Sequence, residues 1–149
     1  MTIMRMDSVA PPGRQALARW APEPVAALAE VESVAAASVD ATTLELVRRR
    51  VAALLGTTVP ATGDAAAPLS PERAAALDDW RGSPLLDDRE QALLTFVEQF
   101  VFSVSSMGDE EVAALLEHAT AEQVHELANV TWAVDLTTRL DLVAAAVLA

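Results

Sequence analysis

Apolar side chains recur every three or four residues along most of this chain, the spacing that lines one face of an α-helix. No run alternates with the two-residue period of a strand, and no internal repeat is visible. Residues 1–13 carry no such period and close on Pro11-Pro12-Gly13, so they read as a flexible N-terminal segment ahead of one helical domain over 14–149. A short helix is predicted over 14–20, stopped by Pro22 and Pro24, and a second over 23–37, with Val25, Leu28, Val31 or Ala35, and Val39 on one side. Asp40 is placed to cap a third helix over 41–55. Its stripe is Leu44, Val47, Val51 and Leu54, and its C-terminal stop is Gly56.

Punctuation sets the remaining boundaries. Pro60, Gly63 and Pro68 interrupt any helix between 56 and 69. Ser70-Pro71-Glu72 is a helix start, with a serine cap, proline in the first turn and an acid behind it, and predicts a helix over 71–80. Asp87 and Glu90 form a capping-box pair opening a helix over 88–105, whose wide apolar face holds Leu93, Leu94, Phe96, Val97, Phe100, Val101 and Val104. Met107-Gly108 breaks the chain before an acidic-start helix over 109–118. Thr120 and Gln123 then open a last long helix ending near 148, with Val124, Leu127, Ala128, Val134 and Leu142 facing a core. The fold class is all-α, with six or seven helices.

Composition narrows what such a bundle does. At 149 residues the chain is long enough to bury a real core, and with 52% apolar but 4% aromatic residues that core is built from Ala, Val and Leu. Trp20, Trp80 and Trp132 are therefore expected to pack, each filling a large share of a core or an interface. A net charge of −12 and a single basic cluster, Arg48-Arg49-Arg50, whose members point in different directions on a helix, exclude nucleic acid as an expected partner. No apolar run reaches the length of a membrane span, and residues 1–12 lack the apolar core of a signal peptide, so a cytoplasmic protein is expected. There is no cysteine, hence no disulfide, thiolate or sulfur-ligated metal. His118, near a helix C-terminus, and His125, in a first turn between Glu122 and Glu126, read as surface residues, so neither a metal site nor a cofactor is expected.

One stretch carries a more specific signal. It runs from Glu45 through Arg48, Arg49, Gly56, Thr57 and Pro60 to Asp64. With it goes Trp80-Arg81-Gly82-Ser83-Pro84-Leu85, which leads into the Asp87 cap, and Thr-Ala-Glu-Gln-Val-His-Glu-Leu at the start of the last helix. Together these resemble the carboxymuconolactone decarboxylase family, in particular its AhpD-like alkylhydroperoxidase branch, over roughly residues 24–149. That branch carries a glutamate followed twelve residues later by Cys-x-x-Cys-x-x-x-His. Glu45 falls at the glutamate, Thr57 and Pro60 at the two cysteines, and Asp64 at the histidine. The resemblance implies an AhpD-like helical bundle that assembles as a dimer, trimer or hexamer.

The departure removes the family's redox chemistry. Peroxide reduction by a dithiol needs a thiolate nucleophile and a second thiol to resolve it. Thr57 supplies neither, Pro60 has no reactive side chain, and Asp64 has no thiol to deprotonate. Hydroperoxidase activity is not expected, and three readings stay open. The chain is a pseudoenzyme serving as a structural or interaction subunit, alone or with a protein partner. Or it is a thiol-free, decarboxylase-like enzyme with Glu45 as acid or base and Arg48 or Arg49 holding a substrate carboxylate. Or it binds a small molecule in a pocket lined by Glu45, Trp80 and Trp132. On the bland alternative, Glu45 is a surface acid paired with Arg48 or Arg49.

Overall fold

A computed structural model describes residues 11–59 and 67–148. Seven α-helices make up the described residues, with no strand among them: α1 (Pro12–Trp20), α2 (Pro22–Ala37), α3 (Ala41–Leu54), α4 (Pro71–Ala76), α5 (Asp88–Ser103), α6 (Asp109–Leu116) and α7 (Ala121–Leu148). The all-α expectation holds. The helix expected over 71–80 is shorter, because α4 tightens into a 3₁₀ turn at Leu77–Asp79; a second 3₁₀ turn, Val104–Ser106, ends α5. The first helix starts at Pro12, earlier than expected, with Pro in its first turn, so Gly13 belongs to the helix and not to an irregular leader.

The caps act where the sequence places them. Asp40 accepts from the Thr43 amide at 2.8 Å. Asp87 and Glu90 exchange bonds of 2.8 and 3.0 Å, and Thr120 and Gln123 exchange bonds of 3.1 and 3.0 Å. Gly56, at φ 74°, closes α3 in a Schellman turn. Its amide donates to Ala53 O at 3.3 Å, and the Thr57 amide reaches back to Ala52 O at 2.8 Å.

The core lies where α3, α5 and α7 meet. Leu46, Val47 and Val51 of α3 pack on Leu93, Leu94, Phe96 and Val97 of α5 and on Leu127 and Val130 of α7. Leu69, Leu77, Trp80 and Leu86 seal one end. Both α1 and α2 lie against α7, and α2 buries no residue fully. The expected stripe is nonetheless its inward side: Val25, Leu28, Ala35 and Val39 are half-buried, with Ala35 and Val39 against the core, while Val31 is exposed. Two packing expectations fail, those for Val104 and Leu142, and Trp20 lies outside the core. Trp20, on the last turn of α1, is 80% exposed; Val104 and Leu142 are exposed as well. The residues that fasten α1 are Gly13 and Arg14.

Candidate functional site

Glu45 sits in the second turn of α3, half-buried, and accepts a 2.6 Å hydrogen bond from Arg49 Nε. The four-residue spacing places the two side chains one above the other on the helix, so this contact follows from sequence distance alone. Arg48, also half-buried, makes no hydrogen bond or ion pair among the described residues. Thr57 is half-buried just past the Schellman turn, while Pro60 and Asp64 lie outside the described residues. Of the expected pocket residues the structure brings Glu45 and Arg49 into contact, and it sends the two tryptophans to different surroundings.

Trp80 is buried and belongs to a charged cluster that the sequence reading missed. Its indole Nε1 donates to Glu98 Oε1 at 2.9 Å. Arg50, from α3, also reaches Oε1, and Arg81 binds Oε2 while stacking over the Trp80 ring with its guanidinium carbon 4.3 Å from the ring centroid. Arg50 Nη1 donates in addition to Leu77 O at 3.3 Å, whereas its buried Nε has no partner among the described residues. Burial alone would raise the Glu98 pKa. The hydrogen bonds from Trp80 and Arg81 and the charge and hydrogen bond of Arg50 outweigh it and hold the carboxyl below its ordinary value. Both oxygens are taken up, so Glu98 clips the Trp80-Arg81 segment to α3 and α5. One signal of this was present in the sequence: Glu98 is a lone acid inside the apolar run from Leu93 to Val104.

A parallel tie holds α4. Arg73 Nε donates to Leu85 O at 3.1 Å and its Nη2 pairs with Glu90, the same carboxylate that completes the α5 cap.

Two cavities lie elsewhere, and neither is lined by Glu45, Arg48, Arg49 or Trp80. The first is a crevice of about 120 Å³ between the end of α2 and the starts of α3 and α7, with Asp40, Arg89 and Glu126 on its walls and Leu93, Leu115 and Leu127 beneath. Burial would raise the Asp40 pKa, but the Thr43 amide and hydroxyl and the Arg89 charge outweigh it and lower it. The second is an open groove of about 540 Å³ between α2 and α7, bordered by Val31, Val34 and Trp132. Trp132 is 49% exposed, so it is a surface residue and not a core one.

Among the described residues no group of three or more His, Asp or Glu side chains is arranged to hold a metal ion, and no helix is long and apolar enough to cross a membrane. His118 and His125 are exposed. No protein-family model and no curated protein matches this chain.

Proposed function

We propose that this chain is a non-redox, AhpD-like protein acting as an interaction subunit that assembles with copies of itself. One observation carries the reading: the outer face of α7 is apolar and spaced to match itself. Trp132, Leu136, Val143 and Val147 are all exposed, the last two at 60% and 72%. At 100° per residue they fall within about 60° of one another on the helix. Their intervals of four, seven and four residues read the same in both directions. Two α7 helices crossing antiparallel about a twofold axis would set Trp132 opposite Val147 and Leu136 opposite Val143, as an isologous interface requires. Arg139, on the same face, brings its own counter-ion, Asp135, at 2.8 Å.

An acid–base enzyme built on Glu45 finds less support. Its carboxylate is engaged by Arg49 and lines neither cavity. Sedimentation equilibrium tests the assembly reading. A dimer or higher multiple of the 15.7 kDa chain is expected, with Val143→Glu weakening association at least tenfold. A monomer at all concentrations overturns it.

A further inference from the structure

The crevice at the head of α3 and α7 holds an unusual pair of charges. Most of the half-buried or buried arginines are spent on carboxylates: Arg14 on Glu32 and Asp141, Arg50 on Glu98, Arg73 on Glu90. Arg89 is half-buried and lines the crevice; its charge acts on Asp40, but among the described residues it makes no hydrogen bond and no ion pair. Glu126, which lines the same crevice, is likewise half-buried and without a hydrogen bond or ion pair among the described residues. The third charge, Asp40, is already occupied by the Thr43 amide and hydroxyl, both at 2.8 Å. Beneath them Leu93, Leu115 and Leu127 form a buried apolar floor. Convergent polar groups over an apolar floor are the usual make-up of a small-ligand site.

We propose that this crevice binds a small zwitterion, namely a free amino acid with a short aliphatic side chain. Its carboxylate pairs with Arg89, its ammonium with Glu126, and its side chain lies on the leucine floor. A guanidinium with its donors free matches a carboxylate in a bidentate geometry that an ammonium cannot reproduce. A ligand with only one charge would leave either Arg89 or Glu126 partly desolvated and unpaired, a costly state. A zwitterion satisfies both and leaves the net charge of the site unchanged. Size sets the side chain: an apolar cavity of about 150 Å³ takes the six carbons of a benzene ring, so about 120 Å³ takes a side chain of three or four carbons, with the two head groups held at the open mouth by the half-buried Arg89 and Glu126.

Glu126 also lines the groove that Trp132 borders, so the test is a titration of the intact chain at one fixed concentration, where any self-assembly is the same throughout. Isothermal calorimetry with L-valine, isovalerate and isobutylamine separates the contributions of the two charges. L-valine is expected to bind with a Kd of about 1 mM, the scale of a small ligand with two ionic anchors. Isovalerate, lacking the ammonium, and isobutylamine, lacking the carboxylate, should each bind at least tenfold more weakly. Arg89→Gln and Glu126→Gln should each lower L-valine affinity at least tenfold. Glu126 makes no hydrogen bond or ion pair among the described residues, so Glu126→Gln should keep the parent's helical circular dichroism and melting temperature. Arg89→Gln, which removes a charge acting on the Asp40 cap, should keep the circular dichroism and lower the melting temperature only slightly. Asp40 is left intact because it caps α3. No saturable binding of L-valine overturns the proposal, as does binding that Arg89→Gln leaves unchanged. Isovalerate binding as tightly as L-valine also overturns it, assigning the crevice to simple carboxylates.

Discussion

Arg14 of α1 and Asp141 of α7 are locked side by side, with Nε and Nη2 each donating to one carboxylate oxygen at 2.8 Å. The other edge of the same guanidinium is held by Glu32 of α2, with Nη2 donating at 3.0 Å and Nη1 making a second bond. One side chain, 6% exposed, therefore joins three helices. Burial alone would lower the Arg14 pKa, but the two carboxylates raise it above its ordinary value. Arg14→Ala leaves Glu32 and Asp141 facing each other without a counter-charge and should cost about 3 kcal/mol. Arg14→Lys, a point charge unable to grip two carboxylates in forks, should cost less. Urea denaturation measures both, and hydrogen exchange should show α1 losing protection first.

Gly13 matters because α7 passes too close for any side chain. A Cβ there would stand 2.5 Å from Ala145 N and 2.6 Å from Asp141 O, both backbone atoms that cannot rotate away. Alanine in a helix is favoured over glycine by about 1 kcal/mol, yet separating two packed helices costs about 1–3 kcal/mol. Gly13→Ala should therefore destabilise. The displaced α1 also pulls Arg14 off Asp141, so combining Gly13→Ala with Arg14→Ala should cost less than the sum of the two, a coupling that a double-mutant cycle detects.

Much of this architecture was legible in the sequence because local chemistry fixed it. Asp40, Ser70, Asp87 and Thr120 each cap a helix start through bonds spanning three residues. The Glu45–Arg49 contact likewise needs only helical spacing. What escaped depends on residues far apart in the chain. Nothing local says that Arg14 meets Asp141, or that Arg50 meets Glu98. Leu142 was expected to face the core on helical spacing alone, but α7 is apolar on more faces than its neighbours cover, and Trp132 also lies outside the core.

Gly56 offers a backbone effect free of packing. Its φ is 74°, and a Cβ at this position would meet nothing within 4 Å. Gly56→Ala should lose about 1 kcal/mol through the left-handed conformation alone. Gly56→Asn should lose less, since asparagine enters that region more readily. The two urea midpoints, compared at equal m-value, check this ordering. An alanine variant as stable as the parent would mean that the Schellman turn does not govern the end of α3.

The lowered pKa of Glu98 makes stability depend on pH in a definite direction. A carboxyl whose folded pKa lies below its unfolded value stabilises the native state above the unfolded value, here 4.5. That contribution is lost as pH falls from about 4.5 through the lowered folded value, when protonation breaks the pairs with Arg50 and Arg81. Asp40, ordinarily 3.8 and also lowered, adds a second loss that begins somewhat further into acid. Glu98→Gln keeps an acceptor for the Trp80 indole but removes the charge that both arginines share. At pH 7 it should cost about 2–3 kcal/mol, at or below the lower end of the range for breaking a buried ion pair because Arg81 is exposed. Its melting temperature should also fall less steeply than the parent's between pH 5 and 3 (roughly the window in which the Glu98 charge is lost). Parallel pH profiles for Glu98→Gln and parent would show that Glu98 does not carry the acid sensitivity, while a shallower profile that Asp40→Asn flattens further would divide it between the two carboxylates.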